Sequence, residues 1–242
     1  MKAFLNDLIS LDEEDVHIWK FDKSDLAEDL SNYNELLNDQ EKERASKFRF
    51  DDDRDRFLWG RVKLKLLLGT YLNESPSALR FIYSKHGKPK LEKREHQYLH
   101  FNMSHSGDLI LFGISRSPIG VDVEEISRSV DIKRISDSYF SPNENNVVEM
   151  APGGEKENVF YEIWTKKEAL IKGIGKGLGI PLNNFCVTSD RSGCVKWKPE
   201  NQFSSSEWYV GSVETRPSYK AAFATLIENV EVAYFPINEQ VL

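Results

Sequence analysis

Two carboxylates one residue apart on a strand are the first groups in this chain that could do chemistry. In Ile119-Gly120-Val121-Asp122-Val123-Glu124 the residues Ile119, Val121 and Val123 fall on one face, and Gly120, Asp122 and Glu124 on the other. Asp122 and Glu124 therefore point the same way, about 7 Å apart along the strand. They repel each other unless a cation lies between them, and a hard divalent ion such as Mg2+ suits that oxygen pair. The competing reading is an exposed strand face that happens to be acidic, since Asp-x-Glu is short and common. Some forty residues on, a helix is predicted over 157–172 with Tyr161, Thr165, Glu168 and Lys172 along one face. Its apolar stripe is Phe160, Ile163, Trp164, Lys167, Leu170 and Ile171, on the opposite side. A Glu–Lys pair at i,i+4 is ordinarily a surface ion pair worth a few tenths of a kcal/mol. Joined to Asp122 and Glu124, the pair becomes a metal-plus-phosphate kit: three oxygen ligands, and a cation for a transferring or departing group. Ser104-His105 is predicted at a strand end ahead of the acidic strand, closing the strand over 99–103. His105 taken alone reads as a satisfied structural group.

These groups need elements to hold them. Strands are predicted over 16–21, 79–84, 99–103 and 109–115, the last forming a β-hairpin with 119–124 across Arg116-Ser117-Pro118. His86-Gly87-Lys88-Pro89 reads as a turn. Helical spacing covers 24–37, 40–48 and 54–72. In the second half a helix is predicted over 131–139, and Ser141-Pro142-Asn143-Glu144 is a capping-box signature with Pro at the first helical position. Segments 185–188, 194–197, 208–213 and 221–226 alternate like strands of an antiparallel sheet. Trp59 and Trp164 each open a helical run, with a strand-turn glycine 28 and 29 residues later, at Gly87 and Gly193. Coincidence accounts for two matches as readily as a repeat does. As a repeat, the echo predicts an α+β fold of two similar halves, each a small antiparallel sheet packed with helices. The halves would be residues 1–117 and 118–242, with the active site at the seam.

Size and charge narrow the function. A chain of 242 residues can bury one large core or two smaller ones. A net charge of −7 argues against a general nucleic-acid or polyanion binder. Yet residues 42–65 hold nine basic side chains against five acidic ones, which fits either a dedicated anion site or a helix face laced with ion pairs. No apolar run approaches the roughly 18 residues of a membrane span, and acids interrupt the N-terminal segment where an export signal needs an apolar core. A cytoplasmic location, no membrane partner and reduced Cys186 and Cys194 are the expectations.

Phe101-Asn-Met-Ser-His-Ser-Gly107, Gly120-Val-Asp-Val-Glu124 and Trp164-Thr-Lys-Lys-Glu-Ala-Leu-Ile-Lys172, in this order and spacing, resemble the signature set of the Sfp-type 4′-phosphopantetheinyl transferases. Gly87-Lys88-Pro89 and Arg54-Asp-Arg-Phe-Leu-Trp-Gly-Arg61 fit the same family, and the Lys-Glu-Ala ending marks one of its branches. The resemblance implies transfer of the phosphopantetheine arm of coenzyme A to a serine of a carrier protein, with release of adenosine 3′,5′-bisphosphate. It implies Asp122, Glu124 and Glu168 as Mg2+ ligands. Glu168 would take the serine proton, directly or through a water, and Lys172 would steady the leaving phosphate. Ser104 and His105 would hold the 3′-phosphate, His105 best when protonated. Lys88, Arg44 and Arg56 would contact the nucleotide and its phosphates, with Lys47 able to exchange roles with Arg44. A two-halved chain with a complete site implies a monomer. The chemistry alone leaves two alternatives, a Mg2+-dependent nuclease and a catalytically inactive module that binds coenzyme A or a carrier.

Overall fold

Leu109–Ser115 is buried at every residue, the mark of a strand covered on both faces. A computed structural model describes residues 9–22, 30–127, 129–188, 194–197 and 206–236. In it this strand (β5) pairs antiparallel with β1 (Asp15–Asp22) on one side and β4 (His100–Ser106) on the other. A last strand, β10 (Glu231–Pro236), runs parallel to β1 on its outer edge and completes the order β10-β1-β5-β4. Ile110, Phe112 and Ile114 of β5 face a core built with Leu64, Leu67 and Leu68 of helix α2 (Asp51–Leu72). The alternate residues Leu109 and Leu111 face the other way, as the two-residue period of a strand requires.

There they meet a second sheet. It comprises β6 (Ile119–Glu125), β9 (Tyr219–Thr225), β8 (Ser206–Val213) and β7 (Cys194–Trp197), all antiparallel in that order. Ile119, Val121 and Val123 are completely buried against Val16, Ile18, Leu109 and Leu111 of the first sheet, each side chain contributing about 1.5–3 kcal/mol by leaving water. The outer face of the second sheet carries helix α5 (Lys156–Ile174), whose Phe160, Ile163, Leu170 and Ile171 pack with Trp208, Val210, Ala222 and Ala224. The fold is thus α+β in two halves, each a sheet backed by one long helix, joined face to face. Smaller elements fill in: α1 (Asp39–Ser46), the short pair β2 (Phe81–Tyr83) and β3 (Pro89–Leu91), α3 (Ile132–Tyr139) and α4 (Pro142–Glu149). The capping box at Ser141 and Glu144 is present. Among the described residues no helix is long and apolar enough to cross a membrane.

Several expectations change. β5 and β6 form no hairpin; they belong to different sheets. Gly113 explains why, because a Cβ there would meet Val121 Cγ1 at 2.6 Å and Ile119 Cδ1 at 2.9 Å, so the strands stack face to face. Residues 185–188 form no strand; the Val187 N–H instead donates to Glu144. The helix predicted over 24–37 is a 3-10 helix at Leu30–Leu36, and its residues 24–29 lie outside the described ones. Gly193 of the internal echo also lies outside them. The β1–β10 pair makes the first sheet mixed, and β10 was not foreseen. Unchanged is the expectation for Cys186 and Cys194, which are free cysteines.

Candidate functional site

Strands β4 and β6 run side by side at the seam, bonded through side chains where a ladder would otherwise be. Asn102, Ser104 and Ser106 alternate along β4 and all turn toward β6. Asn102 Oδ1 accepts from Val121 N at 2.8 Å. Ser104 Oγ donates to Asp122 Oδ1 at 2.9 Å. Ser106 Oγ donates to Glu124 Oε2 at 2.9 Å and accepts from Glu125 N at 3.0 Å. Ser104 and His105 lie within this strand, two residues and one residue before its end at Ser106.

Helix α5 crosses the same strand at very short range. A Cβ on Gly120 would overlap Ala169 O and Gly173 N, so only glycine lets β6 come that close to the helix. The approach sets Lys172 Nζ 2.6 Å from Asp122 Oδ1 and 2.8 Å from Ser104 Oγ. Asp122 is 2% exposed, and its Oδ2 is buried without a hydrogen-bond partner. Burial pushes the Asp122 carboxyl above its ordinary range, against the opposing pull of Lys172 and Ser104. Burial first, then Asp122, raises Glu124 as well, with hydrogen bonds from Ser106 and Trp164 and the charge of Lys172 acting against it. Glu168 is pushed up from 4.5 to about 7, by burial first and then by Asp122, with a smaller push from Glu124 and an opposing one from Lys172. The helix-borne acid therefore feels both strand-borne acids. The helix face carrying it is not solvent-exposed as its spacing suggested, since Tyr161 and Thr165 are buried.

The three acids do not form a finished metal cage: no group of three metal-ligating side chains is drawn together among the described residues. Lys172 supplies the cation that Asp122 contacts. The unpartnered Asp122 Oδ2 and the hard-oxygen character of all three acids fit a divalent ion. Mg2+ in particular is commonly held by one or two carboxylates plus substrate phosphate and water.

The basic residues divide. Lys47, Arg54 and Arg56 pair with Glu43, Asp51 together with Asp55, and Asp53. Lys65, fully buried, donates to Leu36 O and Glu41, and Arg61 stands 3.4 Å from the same Glu41. Most of the local positive excess is thus spent on ion pairs and on joining α1 to α2. Arg44 lies over the rings of Phe57 and Tyr83. Arg56 acts on His105, which sits on β4 with its side chain exposed. His105 is held below its ordinary pKa by desolvation first and then by Arg56 and Lys172. Lys88 is engaged elsewhere, with three backbone carbonyls around its ammonium. Sequence reasoning missed Asn102, Ser106 and the tie from Trp164 to Glu124. The first two were available as the alternating polar residues of 102, 104 and 106.

Fold and site together define a two-half α+β enzyme in which a lysine meets a buried aspartate where the halves join, with Glu124 and Glu168 electrostatically coupled to that pair. A family profile described as the 4′-phosphopantetheinyl transferase superfamily matches residues 118–224, and one described as 4′-phosphopantetheinyl transferase, N-terminal, matches residues 19–115. The 4′-phosphopantetheinyl transferase HetI of Nostoc sp. is 33% identical over 172 residues, 70% of this chain and 73% of that protein. The 4′-phosphopantetheinyl transferase Sfp of Bacillus subtilis is 29% identical over 195 residues, 81% of this chain and 84% of that protein. A putative 4′-phosphopantetheinyl transferase of Synechocystis sp. is 35% identical over 155 residues, and the chain spans 63% of its length. The chain belongs to the 4′-phosphopantetheinyl transferase superfamily, a family of enzymes.

Proposed function

We propose that the chain transfers the 4′-phosphopantetheine arm of coenzyme A to a serine hydroxyl of an apo carrier protein and releases adenosine 3′,5′-bisphosphate. The observation that carries this reading is the contact of Lys172 with the buried Asp122 at the seam, with Asp122 and Glu124 both acting on the raised pKa of Glu168. Asp122, Glu124 and Glu168 would hold Mg2+, which when bound neutralises diphosphate charge. Glu168 has the raised pKa of a group poised to take the serine proton near neutral pH. As the proton leaves, the serine oxygen bonds to the phosphorus bearing the pantetheine arm, and that phosphorus loses its bridging oxygen to the departing nucleotide. Lys172 has 32% of its side chain exposed, enough to turn from Asp122 toward the oxygen on which charge grows. Ser104, His105, Arg56 and Arg44 serve the nucleotide phosphates, and an arriving phosphate would draw His105 toward its protonated form. The division at residues 117 and 118 belongs to this reading: β1 to β5 precede it, β6 to β9 follow it, and β10 crosses back. All these groups come from one chain, so one protomer suffices.

Intact-mass measurement of an apo carrier protein incubated with this protein, coenzyme A and Mg2+ tests the proposal. The carrier should gain the mass of one phosphopantetheine. A panel of apo carriers left unmodified, with single- or double-stranded DNA cleaved instead, would favour a nuclease.

A further inference from the structure

Lys88 stands in the turn between β2 and β3, in the first half of the chain, yet its ammonium is spent in the second. Nζ donates to Ile119 O at 3.0 Å, to Lys172 O at 2.6 Å and to Gly173 O at 2.9 Å. Three acceptors saturate the three donors of an ammonium. Two of them are last-turn carbonyls of α5, which have no partner within their own helix, and the third is the first carbonyl of β6. The helix ends at Gly175 in the left-handed region (φ +76°), and a Cβ on Gly175 would lie 3.2 Å from Lys88 Cδ. The lysine stem thus closes over the helix terminus while its head caps it. Burial draws the Lys88 pKa down to about 8, so the carbonyl cage holds a charge that has given up most of its water.

We propose that Lys88 is a positioning residue: it clasps the first half to the end of α5 and the start of β6, and so fixes the backbone from which Lys172 reaches Asp122. Contact with a nucleotide phosphate would require Nζ to leave all three carbonyls, two of which would then lose their partner. Substrate handling therefore falls to the cations on the other side of β4, and Lys88 acts through Lys172.

The kinetic part of the test rests on the transferase reading; the exchange part does not. Lys88→Met and Lys88→Arg are compared with wild type for kcat, for the Kd of coenzyme A, and for amide hydrogen exchange across residues 172–176 of the unliganded protein. A clasp predicts that Lys88→Met speeds exchange at the helix end and lowers kcat roughly tenfold to a hundredfold. The Kd should change less than about threefold. Lys88→Arg, which keeps donors for the carbonyls, should recover part of both effects. A nucleotide contact gives the reverse: Kd weakened about tenfold or more, with exchange and kcat near wild type, and that result overturns the proposal. Unchanged exchange in Lys88→Met overturns it as well. A wild-type protein that transfers nothing would sink the transferase reading and leave the exchange comparison intact.

Discussion

Asp122 Oδ1 holds both Lys172 and Ser104 while Oδ2 holds nothing, and after burial its charge is the next largest push on Glu124 and Glu168. Glu168 is the most sensitive of them. Its pKa of about 7 in the folded protein lies above the ordinary 4.5, so between those values the folded state binds more protons than the unfolded one. Stability must then fall as pH rises through that window, with the penalty complete above about 7. Glu168→Gln removes the charge without changing the shape. In metal-free protein it should raise Tm at pH 8 and give no gain near pH 4.5, where Glu168 is protonated in any case. Thermal melts at the two pH values check this; an equal shift at both would mean that folding does not raise the Glu168 pKa.

At the scale of elements, the site depends on how closely α5 lies on β6 and on what stops the helix from turning. Gly120→Ala drives a methyl group into the helix backbone and should cost about 1–3 kcal/mol while abolishing most transfer, read by urea denaturation and by turnover. A second lock lies on the far side of the helix, where Lys167 Nζ donates to Leu182 O, Phe185 O and Glu144 with both charged side chains fully buried. Glu144 also accepts from Ser141 and Val187, so the pair ties α4, the 182–187 loop and α5 together. Lys167→Met leaves the buried Glu144 carboxylate without its counter-ion and should cost about 3–5 kcal/mol. Adding Glu144→Gln should return part of that loss, and denaturation of the double variant against both singles measures how much. Lys167 could be placed in the core stripe from spacing alone, as could the capping box at Ser141. What spacing could not show is that the two features meet, since their partners lie 23 or more residues apart in the chain.

For the whole molecule, the legible part was whatever a local period encodes. The acid pair on β6 and the helix carrying Glu168 and Lys172 follow from alternation and helical spacing, while the two-half α+β plan was only hinted at by an internal echo that coincidence explains as well. The β5–β6 hairpin was misread because a short Arg-Ser-Pro connection serves equally well to pass a chain between sheets; the decision rests with Gly113, which makes room for Ile119 and Val121. β10 was invisible because its partner β1 lies over 200 residues away. It is held there partly by Phe235, which stacks on Trp19 with ring centroids 4.5 Å apart, a contact no local pattern announces. The basic run of residues 42–65, open in the sequence to two readings, is in the structure mostly the ion-paired one, its charges answered by acids beside it or by Glu41.

The joined halves exist, on this account, to bring two strand-borne acids and a helix-borne one around a single divalent ion and the diphosphate of coenzyme A. Calorimetric titration of coenzyme A, with and without Mg2+, into wild type and Asp122→Asn tests this most directly. Mg2+ should tighten binding to the wild type by about tenfold or more, or 1.4 kcal/mol, and should do little for the variant. Equal affinities in the wild type with and without the metal, or a full Mg2+ effect in Asp122→Asn, would contradict the assignment.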